Sequence, residues 1–237
     1  MKFIIATIAL CVANVQATVV PTKRDGDATM NSDVPVLNFA LTLEHLENAF
    51  YKEGLRKYSQ ADFIKAGLPK WIRGRFEQIA QHEATHVAFL ESALGPLAVK
   101  PCQYNFGDTS IKEFVDFSGM VETVGASAYT GAAQLLSNKD YLTSAAAILA
   151  TEGRHSSWIN SAVRKGAPWS TSFEAPLDVN QVYTIASGVV IPKELYGVVF
   201  AVITTDKTKV DDSVTVAGPV YLNFDFDSQG KLATWAL

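Results

Sequence analysis

Two of the four histidines in this 237-residue chain follow a glutamate by three positions, in Glu83-Ala-Thr-His86 and Glu152-Gly-Arg-His155. Both motifs lie in segments with helical patterning. A three-residue helical step turns about 300° and rises about 4.5 Å, so carboxylate and imidazole share one helix face. Such a pair suits a hard or borderline metal ion, and its carboxylate can bridge to a second ion. The flanking residues are apolar: Ile79, Ala80 and Phe89 around Glu83, and Ile148, Leu149 and Trp158 around Glu152. Burying carboxylates together costs on the order of several kcal/mol each, unless cations neutralise them. The chain therefore has to bring these helices together around positive charge, or else turn the acids out to water on solvated faces.

Two further acids complete the pattern. Glu44 precedes Tyr51 by seven residues, and Glu122 precedes Tyr129 by seven. Seven residues are nearly two turns, so each Glu and its Tyr line one stripe. The chain order is Glu/Tyr, Glu-x-x-His, Glu/Tyr, Glu-x-x-His. This is an internal repeat of two helical hairpins that places six ligands about a pseudo-two-fold axis. A single Glu-x-x-His is a weak signal; two of them interleaved with two such stripes are a strong one. Glu47, one turn after Glu44, is an alternative ligand from the first helix, and the tyrosine stripe favours Glu44. His45 and His82 flank ligands but are rotated about 100° away, which places them at the surface or behind the ligands. Tyr51 and Tyr129 either bond the carboxylates or fill the core.

The helices can be drawn from capping and periodicity. The first spans 33–56, with Asp33 as cap, Pro35 in its first turn and Gly54 weakening its end. Residues 57–69 read as a loop. The second helix spans about 70–94 and stops at Gly95-Pro96. Ser110-Ile-Lys-Glu113 has the form of a capping box for a third helix running to about Ser137. Asn138 caps a fourth that runs to Lys165, before Gly166 and Pro168. The last two are rich in Ala and Gly, which lets helices approach closely and leaves room for large groups opposite.

This gives a helical domain over 33–170. Residues 171–237 read as one short helix, Asp178 to Ser187, followed by a β-rich extension: Val198–Thr204, Ser213–Ala217, Val220–Phe226 and Leu232–Trp235, bounded by Gly218-Pro219 and Asp227-Ser-Gln-Gly230. Residues 1–17 read as a signal peptide, with Lys2, an apolar run from Phe3 to Val15 and a Val-Gln-Ala cleavage site; an N-terminal anchor is the alternative. Residues 18–32 read as a pro-segment with a dibasic processing site after Arg24. The mature chain is thus expected to be secreted, to an extracellular or cell-wall location, with no membrane span. Cys102 is then its only thiol, expected as a small buried residue or as a link between chains. A net charge of −4 gives no basic face for phosphates and excludes a nucleic-acid partner.

The stretch Leu37-Asn-Phe-Ala-Leu-Thr-Leu-Glu44-His-Leu-Glu47-Asn-Ala-Phe-Tyr51 is typical of ferritin-like proteins linked with stress or desiccation in fungi and plants. The segment Glu152-Gly-Arg-His155-Ser-Ser-Trp158 is similar to the last ligand motif of bacterioferritins. Residues 36–160, about half the chain, thus resemble the ferritin-like superfamily. The resemblance implies a mainly α, ferritin-like four-helix bundle of up-down pairs with a crossover. It implies a dinuclear site of Glu44, Glu83, His86, Glu122, Glu152 and His155 holding two Fe or Mn ions. Glu44 and Glu122 would be terminal ligands, Glu83 and Glu152 would bridge, and each His would bind one ion. A redox role with O2, H2O2 or Fe2+ follows from that resemblance, of the ferroxidase or catalase kind. The competing expectation is a non-catalytic scaffold, acting through its β-rich tail at a cell wall or host surface.

Overall fold

The computed structural model describes residues 28–104, 106–107, 110–169, 172–187, 197–204 and 215–224. The expected leader, the dibasic site and the strand at Leu232–Trp235 lie outside them. Six α-helices are described: α1 Ala28–Lys57, α2 Gln60–Lys65, α3 Ile72–Leu94, α4 Ile111–Ala132, α5 Lys139–Trp158 and α6 Val179–Ser187. Among the described residues, no helix is long and apolar enough to cross a membrane.

Helix α1 packs on α3, α4 packs on α5, and α1 also meets α4. The contacts fix the directions. Tyr51 meets Phe76 while Asn38 reaches Leu97, so α1 and α3 run antiparallel. Asp116 meets Arg164, Thr123 bonds Ser156 and Gly125 lies against Glu152, so α4 and α5 do too. The long connection from Gly95 to Ser110 carries the chain from one hairpin to the other. Asn38 on α1 pins that connection by donating to the Leu97 carbonyl at 3.0 Å and accepting from Val99 N–H at 2.9 Å.

Several local expectations are corrected. Asp33 does not cap α1, which already runs from Ala28. Its buried carboxylate instead accepts from Ser137 N–H and Asn138 N–H, each at 2.8 Å, and so closes the turn before α5. The expected loop 57–69 contains α2, whose Ser59 and Asp62 make a reciprocal capping box. Helix α4 ends at Ala132, five residues early, and passes through a 3-10 turn. Helix α5 gives way to a π-helical turn at Ile159–Val163, and the left-handed residue that ends it is Lys165 (φ 64°), not Gly166. Cys102 is exposed rather than buried.

Two apolar layers sandwich the middle of the bundle. Towards one end, Phe50, Tyr51, Phe63, Phe76 and Phe114 form an aromatic cluster. Gly54 belongs to it: a Cβ there would lie 2.2 Å from the Phe114 ring, so the glycine is the seat that lets α4 close on α1. Towards the other end, Leu37, Leu41, Val87, Leu90 and Tyr141 pack together. The acidic residues of the two motifs lie between these layers.

After the bundle, the chain crosses α4 at Gly131, where a Cβ would lie 1.9 Å from the Leu177 carbonyl oxygen. Leu177 N–H donates to the Ser127 carbonyl, and Leu177, Val182 and Ile185 bury against α1 and α4. Strands β1 Gly197–Thr204 and β2 Thr215–Phe224 pair antiparallel, from Gly197 opposite Phe224 to Thr204 opposite Thr215. Gly218-Pro219, expected to separate two strands, instead falls inside β2. The register shifts there, with Ala201 opposite Val220 and Ile203 opposite Ala217, and such an irregularity tolerates a proline that cannot donate.

Candidate metal centre

All four main helices send an acid to one point. Glu44 comes from α1, Glu83 and His86 from α3, Glu122 from α4, and Glu152 and His155 from α5. The four carboxylates are fully buried, as an apolar setting on every helix requires. Ligand atoms of Glu44, Glu83, His86 and Glu152 all lie within 4.8 Å of one another, and so do those of Glu83, Glu122, Glu152 and His155. The two groups share Glu83 and Glu152. The six residues singled out in the sequence therefore meet as two overlapping sets, each with one imidazole.

The contacts repeat across the pseudo-two-fold. His86 Nδ1 lies 3.2 Å from Glu44 Oε2, 3.0 Å from Glu83 Oε2 and 3.3 Å from Glu152 Oε1. His155 Nδ1 lies 2.9 Å from Glu122 Oε2 and 3.2 Å from Glu83 Oε1. The tyrosine stripes cross between the hairpins. Tyr129 donates to Glu44 Oε1 at 2.6 Å, and Tyr51 donates to Glu122 Oε1. Each tyrosine thus serves the acid of the other helix, not the acid seven residues before it.

The electrostatics carry the signature of too many buried acids. Burial pushes Glu44 up to about 8, against the pull of His86. Burial likewise holds Glu122 and Glu152 well above the carboxylate range, with neighbouring acids adding to it. Glu83 goes the other way: burial would raise it, but bonds from His155 and His86 outweigh that and hold it at about 2. Burial opposes charge on His86, and the bonds to Glu152, Glu44 and Glu83 overcome this and raise its pKa far above the usual value. Burial and the adjacent carboxylates keep both tyrosines protonated, so they act as donors.

Even so, polar atoms are left over. Glu152 Oε2 is buried without a hydrogen-bond partner, and Glu83 Oε1 and Glu152 Oε1 have only a histidine Nδ1 beside them, at 3.2 Å and 3.3 Å. These belong to the two acids shared between the groups. Orphaned carboxylate oxygens in a dry core are costly, and cations placed among them would satisfy them. A donor set of carboxylates and imidazole nitrogens suits Fe2+, Mn2+ or another divalent ion. The residues present therefore fit metal binding.

Glu47 joins the cluster as a fifth carboxylate. It is buried, and burial together with Glu152 and Glu44 raises its pKa well above normal. It shares Gly125 with Glu152: a Cβ on that residue would lie 2.8 Å from Glu47 Oε1 and 3.1 Å from Glu152 Oε2. Glu47 is in neither ligand group, whereas Glu44 is in one. His82 is exposed, and its Nδ1 lies 2.9 Å from His155 Nε2 with the rings stacked, so it buttresses His155 from the solvent side. His45 is buried, and its Nε2 faces the Val99 carbonyl at 3.3 Å, away from the acids.

Comparison with known proteins agrees with this geometry. Part of the chain is similar to Protein rds1 of Schizosaccharomyces pombe, with 34% identity over 86 residues. That match covers 36% of this chain and 21% of the relative. Residues 32–165, which hold most of α1, all of α2 to α5 and every acid and imidazole of the cluster, match the ferritin-like domain family. With more than half of its length matched, and with Glu83 and Glu152 each shared between two groups of ligand atoms, the chain is a member of the ferritin-like family.

Proposed function

We propose that this protein binds a dinuclear iron or manganese centre and uses it in redox chemistry with O2, H2O2 or Fe2+. The observation that carries the reading is the pair of shared acids, Glu83 and Glu152, whose buried oxygens are left with a histidine contact or with none. Glu44 with His86, and Glu122 with His155, would complete one ion site each, and Glu83 and Glu152 would bridge them. When bound, a pair of ions that change valence supplies the electrons for reducing a small oxidant. The chain's own residues do the rest. Tyr129 and Tyr51 fix the terminal acids by hydrogen bonds, and His82 orients His155. The aromatic and aliphatic layers keep bulk water away from the carboxylates.

We further propose that the chain is exported, with residues 1–17 as leader, and that its C-terminal part is a β-rich extension of the bundle. Partners at a cell wall or host surface would meet that extension. The test of function is anaerobic loading with Fe2+ or Mn2+, followed by oxygen or peroxide and a record of oxidant consumed per chain. Turnover dependent on Glu83 and Glu152 is expected. A fully loaded, folded protein that consumes neither oxidant would instead assign the bundle a scaffold role.

A further inference from the structure

Between Asp62 and Glu77 the chain carries four basic residues, Lys65, Lys70, Arg73 and Arg75, and no acid. This stretch runs from α2 through a turn into the start of α3 and forms a tip at the aromatic end of the bundle. The two acids that bound it are engaged: Asp62 accepts from the Ser59 hydroxyl at 2.6 Å, and Glu77 pairs with Arg73. Arg73 also donates to the carbonyls of Tyr58 and Leu55, at 3.1 and 2.8 Å, which brings the last turn of α1, with Arg56 and Lys57, to the same tip. The chain's net charge of −4 hides this basic face, contrary to the expectation drawn from the sequence. Glu44, Glu47, Glu83, Glu122 and Glu152 are buried in the centre of the bundle, so these acids never face a partner.

Apolar side chains stand among the charges. Phe63, Ile72 and Phe76 are fully buried in the aromatic layer and fix the backbone of the tip. Ile64 and Trp71, each beside one of those anchors in the chain, are 43% and 51% exposed. Trp71 has one side against Trp158, with ring centroids 6.3 Å apart, and much of the rest in solvent. An aliphatic and an indole side chain set among lysines and arginines match the boundary of an anionic bilayer. There the cations meet headgroups, indole rings settle at headgroup level and aliphatic groups reach the acyl chains. A dissolved polyanion would be held by the cations alone and would leave Ile64 in water.

We propose that the tip formed by residues 62–77 docks on anionic phospholipid bilayers, with Lys65, Lys70 and Arg75 on the headgroups and Ile64 and Trp71 inserted between them. This holds the bundle at a membrane surface without a spanning helix, and it does not depend on the metal centre.

The test uses residues 18–237, which keep every described element and lack the apolar run at 3–15 that would itself bind lipid. The chain is sedimented with vesicles of phosphatidylcholine alone and with vesicles containing about one-third phosphatidylserine. Binding is expected to the second only, and should weaken at least about tenfold between about 0.1 M and about 0.5 M salt. Each charge removed from such a face costs about fivefold in affinity, so Lys65→Ala with Lys70→Ala should weaken binding about 25-fold. Lys100→Ala with Lys139→Ala, at the aliphatic end, should leave it unchanged. Trp71→Ser should weaken it several-fold. These side chains are all exposed, and an unchanged thermal melt confirms that each variant folds. No binding to the phosphatidylserine vesicles, equal binding to both kinds, or a tip pair no weaker than the control pair would overturn the proposal. So would equal capture by dextran sulfate or DNA that ignores Trp71, which would make the face a polyanion site instead.

Discussion

Gly125 and Gly153 are both helical glycines beside the acidic cluster, and they are expected to respond in opposite ways to alanine. At Gly125 a Cβ would lie 2.8 Å from Glu47 Oε1 and 3.1 Å from Glu152 Oε2. The first distance is shorter than any real contact, so the carboxylates must move. They are the ends of side chains rather than backbone, so the fold survives. The gain in helix propensity, about 1 kcal/mol, is offset by crowding of about 1–3 kcal/mol. Net stability should fall by roughly 0–2 kcal/mol. Metal affinity, in contrast, depends on where Glu152 points, and displaced ligand supports typically cost about 10–100-fold. At Gly153, inside the second Glu-x-x-His motif, a Cβ would meet nothing within 4 Å. Gly153→Ala should therefore gain about 0.5–1 kcal/mol and leave metal binding unchanged. Urea unfolding of the metal-free proteins measures the first quantity, and competition against a chelator of known affinity measures the second. Full affinity in Gly125→Ala would refute the claim that Glu152 must sit where that glycine leaves it.

Three other outcomes are expected. Gly54→Ala drives a Cβ into the buried Phe114 ring at 2.2 Å and should cost at least about 2 kcal/mol net in thermal or urea unfolding. Asp33→Ala removes two charge-assisted bonds at 2.8 Å to Ser137 and Asn138, and should cost about 2–4 kcal/mol, with the start of α5 losing hydrogen-exchange protection. The metal-free protein should lose stability as pH rises. Glu44 is raised from 4.5 to about 8 in the fold, so its contribution is fully present below pH 4.5 and is lost towards pH 8, at up to about 1.4 kcal/mol per pH unit. Glu122 and Glu152 shift in the same direction, while Glu83, held at about 2, titrates below this window. Metal binding displaces those protons, so the stabilisation it adds should grow over the same range. Melting temperatures with and without metal between pH 5 and 8 check both slopes.

The centre was legible in the sequence because its geometry is mostly local. Two Glu-x-x-His steps and two isolated glutamates, each on an amphipathic helix, already fix which face each helix turns inward. What the spacing could not give is the pairing across helices. Tyr51 and Tyr129 lie on the stripes of Glu44 and Glu122, yet each bonds the acid of the opposite helix, because α1 and α4 run antiparallel. Glu47 is one turn from Glu44 and equally buried; only the approach of Gly125 shows that it stands beside Glu152. Asp33 looked like a cap because capping residues look alike, and its true partners are more than a hundred residues away. Helix α2 is the opposite case: Ser59-Gln-Ala-Asp62 is a local capping signal, and it starts a helix inside the stretch that reads as a loop. Gly54 read as a weak helix end because the ring it accommodates comes from α4.

Whether two cations share Glu83 and Glu152 is read from the metal counted per chain after exhaustive dialysis. The unmodified protein should retain about two ions, His86→Ala about one, and Glu83→Ala essentially none, since that acid serves both positions. A chain that folds normally and carries no metal, or one whose metal content ignores Glu83, would contradict the account.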